Sequence, residues 1–217
     1  MAVRDALLTL LTIGPAYGFQ LHGGLETRTG GRRRVNVGQT YATLERLTKQ
    51  RLIAPAGTTD DGLPLHALTP AGVAAADAWL GGADASGADP WDETVDRVLI
   101  ALSLPAVDAR SIVDGELERW SIRLSEAQAA AEASGAGGNA TEAQSAPGAA
   151  LALQATRADA ARARAALDWL GGIDVAQTGY DLAPESTRPR RGRRPGVPAR
   201  TEHDDGGESQ PQPSARA

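Results

Sequence analysis

Twice within the first 80 residues the apolar spacing changes period, and this restricts the fold more than any other feature. Helix-type spacing runs to about residue 50 and stops. Two short apolar runs follow, 52–56 and 63–68, on either side of Thr58-Thr59-Asp60-Asp61-Gly62, a composition suited to a tight turn. They predict a β-hairpin. Thr69-Pro70 then restores helix, with Thr69 as N-cap, Pro70 at the first helical position, and Val73, Ala76 and Leu80 inward.

Three helices precede the hairpin. The first places Val3, Leu7, Leu10 and Leu11 on one face and stops at Gly14-Pro15; the second turns Phe19, Leu21 and Leu25 to one side and ends at Gly30-Gly31. The third lies in "VNVGQTYATLERLTKQRLI", residues 35–53, where Val37, Tyr41, Leu44 and Leu47 fall at i, i+4, i+7 and i+10 and predict the buried stripe. Asn36 stands where an N-cap belongs. Gln39, Thr43, Arg46 and Gln50 form a second line predicted to face solvent. Arg suits guanine, Gln suits adenine and a Thr methyl suits thymine, so this line fits the reading of DNA base edges. A solvated helix face is the alternative, because the same residues are common on surfaces. Three helices, a hairpin and a helix make a winged helix-turn-helix over residues 1–82.

Composition excludes several function classes. There is no Cys, and the three His stand apart at 22, 66 and 203, so no thiol nucleophile, disulfide framework or Cys/His metal cluster is expected. Neither a Gly-rich phosphate loop nor clustered carboxylates supply catalytic machinery, so the chain is read as a non-enzyme without cofactor or metal. No leader and no apolar run near twenty residues is seen, which predicts a cytoplasmic protein with no membrane partner. The net charge of −5 is segregated: residues 1–82 carry +2, residues 83–187 carry −10 and residues 188–217 carry +3. A nucleic-acid partner is therefore compatible with the first segment and the start of the last.

After a linker at 83–90, three amphipathic helices are predicted across 91–178. The first runs from Asp89-Pro90 to Pro105 with Trp91, Val95, Val98, Leu99 and Leu102 on one face; the second, capped by Asp108, aligns Val113, Leu117, Trp120, Leu124, Ala127 and Ala131. A Gly-rich connection at 134–148 reads as flexible, and the third helix aligns Leu153, Thr156, Ala160, Ala163, Leu167 and Leu170. An intramolecular bundle would satisfy this pattern, but so thin a core gains by pairing with a copy. Trp120, Leu124, Leu153, Leu167 and Leu170 are the expected dimer contacts. Trp91, Trp120 and Trp169 are read as core in preference to a ligand pocket. The remainder, 179–217, is read as a disordered tail whose basic segment 188–196, "RPRRGRRPG", resembles an AT-hook interrupted by an extra Arg.

"LLTLLTIGPAYGFQL", "VNVGQTYATLERLTKQRLI" and "DDGLPLHALTPAGVAAADAWL", in this order, resemble the DNA-binding domain of PadR family transcriptional regulators. "DPWDETVDRVLIALSL" and "RARAALDWLGGI" resemble the helical C-terminal domain of the larger PadR subclass, which carries the resemblance to about residue 178. It implies a fold mainly α with a small β-hairpin, an N-terminal winged helix-turn-helix followed by an all-α dimerisation domain. It also implies a two-fold homodimer on a palindrome of double-stranded DNA, with the third helix in the major groove, Tyr41 at the DNA and the wing on the flanking backbone. A small-molecule effector is a further partner that it allows. Asn36, Gln39, Thr40, Tyr41, Thr43, Arg46 and Gln50 are then the candidate readers, and Gly62, Leu63, Pro64 and His66 the wing. Family wings present basic residues at the tip, whereas this one has Asp60-Asp61 before it. Arg32, Arg33 and Arg34 are the expected substitute for backbone neutralisation. The competing reading is a protein-interaction adaptor that keeps the winged scaffold and docks a partner on Leu63, Pro64 and Leu65.

Overall fold

The computed structural model describes residues 2–136 and 147–176, all within the compact unit Met1–Pro184. Its elements are α1 Ala2–Leu10, α2 Gly18–Arg28, α3 Val37–Lys49, β1 Ile53–Thr58, β2 Pro64–Leu68, α4 Pro70–Leu80, α5 Pro90–Leu102, α6 Ala109–Ala136 and α7 Pro147–Gly171. Helices α6 and α7 run into both ends of the connection predicted at 134–148; residues 137–146 lie outside the described residues. So does the tail 179–217 with its basic segment 188–196.

Local chemistry sets the element ends. Asn36 accepts the Gln39 N–H at 2.7 Å, Thr69 accepts the Gly72 N–H at 3.1 Å ahead of Pro70, and Asp89 accepts the N–H groups of Trp91 and Asp92 ahead of Pro90. Strands β1 and β2 pair antiparallel with Ile53 opposite Leu68 and Pro55 opposite His66, and the register breaks before Thr58 meets Pro64. Gly62 closes the turn at φ +80°, a left-handed conformation that favours glycine. Ala16 adds one rung by exchanging both backbone hydrogen bonds with His66, at 3.0 and 2.9 Å.

The first core gathers Leu7, Leu8 and Leu10 of α1 and Leu11 just after it with Leu21, Leu25, Leu44, Leu47, Ile53, Trp79 and Leu80. Ile100, Ala101 and Leu104, which the sequence assigns to the second domain, belong to it as well. Helix α1 is therefore buried round most of its circumference, packing against α2, α4 and α5. On α4 the predicted inward Val73 is 43 % exposed, and Gly72 and Trp79 turn inward instead. Phe19 on α2 is likewise exposed, at 41 %.

A second core joins Val98, Val113, Trp120, Ala163, Ala166 and Leu170, with Leu117, Leu124 and Leu167 packed against it. Trp91 meets Trp120 and Trp169 edge-on, with ring centroids 6.0 and 5.2 Å apart, so the three rings fill this core against one another. Of the expected dimer contacts, Trp120 and Leu170 are buried in this core and Leu124 and Leu167 packed against it, while Leu153 is half-buried outside it. Small Ala residues on α7 let α6 pack closely against it.

Helix α5 shows no single apolar face. Glu93, Thr94, Asp96 and Arg97 are buried alongside Val95, Val98, Ile100 and Ala101. Arg97 donates to the Trp79 carbonyl at 2.5 Å and to Asp84 at 2.7 Å, pairs with Glu116, and stacks over the Trp79 ring at 5.3 Å. Glu93 accepts from Trp79 Nε1 at 2.6 Å. Asp84 and Asp89, which bracket the predicted linker, tie it down by pairing with Arg97, Arg123 and Arg162. Among the described residues, no helix is long and apolar enough to cross a membrane.

Candidate nucleic-acid interface

Helix α3 sits one step out of the rotational phase expected for it. Thr40, Thr43, Leu44 and Leu47 are buried, while Val37 is 39 % and Tyr41 47 % exposed. Burial of two threonines is tolerable because their hydroxyls are bonded. Thr43 Oγ1 donates to the Gln39 carbonyl at 2.8 Å, and Thr40 Oγ1 lies 3.2 Å from His22 Nδ1. Tyr41 is thus not a core residue: its ring lies over the start of α2, where a Cβ on Gly18 would be 2.6 Å from the ring edge.

The same rotation moves the expected reading line. Thr43 does not face solvent. Gln39, Arg46 and Gln50 are exposed, but onto a cleft of about 420 Å³ whose other wall is Ala88, Asp89, Asp92 and Glu93 at the start of α5, with Val3, Arg4 and Arg33 beside it. Arg46 folds back on its own helix, donating to the Ala42 carbonyl at 3.2 Å and Thr43 Oγ1 at 3.0 Å. Asp89 and Asp92 line this side together with Arg4, Arg33 and Arg46, and Glu93 is buried, bonded to Trp79. The most outward positions of α3 are Gly38, Ala42, Glu45 and Lys49, all exposed, with Lys49 paired to Glu45 at 2.7 Å.

The three-arginine run is not a free cationic patch. Arg32 pairs with Asp92, Arg33 Nε donates to Asp96 at 2.5 Å while its Nη2 lies 3.3 Å from Asp92, and Arg34 lies 3.1 Å from Glu26. Asp96 is fully buried, and burial pushes its carboxyl above the usual range although Arg33 and Arg32 oppose this. Arg33 is therefore the counter-ion of an interior charge, and this clamp fixes the loop before α3 to α5.

At the wing, Thr59 organises the turn. Its backbone exchanges hydrogen bonds with Leu63 and Gly62, and its hydroxyl accepts the Leu63 N–H at 2.9 Å and donates to Asp61 at 2.5 Å. Asp61 thereby serves the turn, while Asp60 is exposed. Gly62 and Pro64 are exposed and Leu63 half-buried, whereas His66 lies away from the tip, half-buried in β2. Desolvation holds its imidazole below the ordinary value, and Nδ1 has no hydrogen-bond partner. Among the described residues, no group of three or more His, Asp or Glu is placed to hold a metal ion.

Residues 7–78 match the model of the transcriptional regulator PadR-like family. Over this segment the chain is similar to PadR-like regulators. Among solved structures, Bacillus subtilis PadR in complex with operator DNA is similar at 22 % identity, covering 82 % of this chain and 99 % of that one with a TM-score of 0.36. Bacillus subtilis PadR in complex with p-coumaric acid is similar at 21 % identity, covering 83 % and 100 % with a TM-score of 0.34. No curated protein sequence matches the chain. The PadR-like segment spans α1 from Leu7 through most of α4, so the helix, hairpin and helix described above fall inside it.

Proposed function

We propose that the chain is a DNA-binding transcriptional regulator that lays the outer face of α3 in the major groove. The observation that carries this is the exposure of Val37, Gly38, Tyr41, Ala42 and Glu45 on the third helix of the segment similar to PadR-like regulators. The Asn36 cap and the hairpin frame that face on either side. Gln39 flanks it, Lys49 ends it, Arg51 follows, and Gly62 with Pro64 form the wing tip. The regulator works as a homodimer on a palindrome and as a repressor that a small effector releases. With most of the expected seam used internally, the dimer contact falls on the outer faces of α6 and α7, where Ile122 and Leu151 are 50 % and 71 % exposed.

A mobility-shift titration of the full chain on the DNA upstream of its own gene, with random duplex as competitor, tests the proposal. Specific retention is expected, and equal competition by random duplex sinks it in favour of the adaptor reading. The wing gives a second check. Asp60→Asn with Asp61→Asn is expected to raise affinity for every duplex by removing like-charge repulsion, the gain shrinking as salt rises. A gain confined to one sequence, or indifferent to salt, contradicts wing-to-backbone contact.

A further inference from the structure

We propose that α3 reads thymine through its 5-methyl group and that Val37 is the residue that determines this specificity; the inference rests on the DNA-binding reading above. Val37 and Tyr41 lie at i and i+4 on the exposed side of the helix, and Val37 is an apolar side chain left 39 % open at the first turn. Its neighbours on the outer face are Gly38, with no side chain, and Ala42, with only a methyl. The backbone of these two turns can therefore approach a surface closely.

On the first two turns of this patch the hydrogen-bonding side chains are engaged elsewhere, and beyond them Lys49 is paired to Glu45 at 2.7 Å. Asn36 is committed to the Gln39 N–H at 2.7 Å, Thr40 and Thr43 are buried, and Gln39 lies on the flank that lines the cleft. The Tyr41 ring is laid over Gly18. What remains to meet a base edge at the first two turns is the isopropyl group of Val37 and the methyl of Ala42. The thymine 5-methyl is the one apolar mark in the major groove, and side-chain methyls recognise it by excluding water from both.

The test begins by selecting tight-binding duplexes from a random library with the full chain. Each thymine of the selected site is then replaced in turn by deoxyuridine, which removes the methyl and leaves every hydrogen-bonding group in place. At one or more thymines of each half-site, deoxyuridine is expected to weaken wild-type binding about fourfold, the fold-change of one buried methylene. Val37→Ala is expected to bind the thymine and deoxyuridine forms equally at that position. Its circular dichroism should match the wild type, since Val37 contributes to neither core. A flat deoxyuridine scan on a selected site, or a scan unchanged by Val37→Ala, overturns the inference while leaving DNA binding intact. Failure to enrich any duplex overturns the DNA-binding reading, and this inference with it.

Discussion

Arg97→Met is expected to destabilise the protein by about 3–5 kcal/mol in urea unfolding, the range for removing one partner of a buried ion pair. Arg97 is fully buried, and its guanidinium joins the end of α4, the Asp84 turn and Glu116 of α6. Methionine retains part of the volume and none of the donors. Glu116, whose side chain is 1 % exposed, would keep Arg119 at 2.8 Å and Thr94 at 2.8 Å and lose its interior counter-ion. The pH dependence has a definite sign. Burial opposes ionisation of Glu116, but Arg119, Arg97 and Thr94 together hold its carboxyl below the ordinary value. The native contribution is present above the usual carboxylate range and lost as pH falls through the lower folded value. With Arg97 gone, burial weighs more and protonation relieves the variant, so the gap between the two proteins should narrow toward acid. In a double-mutant cycle, Glu116→Gln should cost far less in the Arg97→Met background than alone. A loss under about 1 kcal/mol for Arg97→Met contradicts this account of how α4, α5 and α6 are held.

Gly72→Ala is expected to cost roughly 2–4 kcal/mol and to loosen the wing, although alanine favours helix. A Cβ at Gly72 would overlap the Leu52 carbonyl oxygen and crowd Leu68 Cδ2 at 3.1 Å. That carbonyl cannot move freely, because it accepts from both the N–H and the hydroxyl of Thr69, at 3.0 and 3.1 Å. To admit the methyl, α4 must shift off the start of β1, which carries the hairpin. Ala71→Gly, one position away on the exposed side, is the control and should cost only about 1 kcal/mol through helix propensity. Equal effects at the two positions would contradict the close approach.

Element order was legible because the signals that set it are local. Asn36, Thr69-Pro70 and Asp89-Pro90 are cap signals ahead of helical patterns, and Thr59–Gly62 is a turn composition between two apolar runs. Rotation of α3 was not legible, since Val37-Tyr41-Leu44-Leu47 and Thr40-Leu44-Leu47 are both good helical stripes. Hydrophobicity favours the first, and only the partners of the Thr40 and Thr43 hydroxyls reveal the second. The burial of α5 was hidden for another reason. Glu93, Asp96 and Arg97 look like a solvated face until Trp79, Arg33 and Glu116 arrive from elsewhere in the chain to bond them. The same kind of pairing engages Arg32 with Asp92 and Arg33 with Asp96, a feature that no inspection of residues 32–34 alone would show.

The central claim is that DNA meets the outer face of α3 and not the flank that closes the cleft against α5. The chain contains no cysteine, so single thiols can report on this without background. Ala42→Cys and Gln50→Cys, each labelled with a short photo-crosslinker and bound to a selected duplex, compare the two sides of one helix directly. The account predicts strong crosslinking to DNA from position 42 and little from position 50; crosslinking from position 50 with none from position 42 would contradict it.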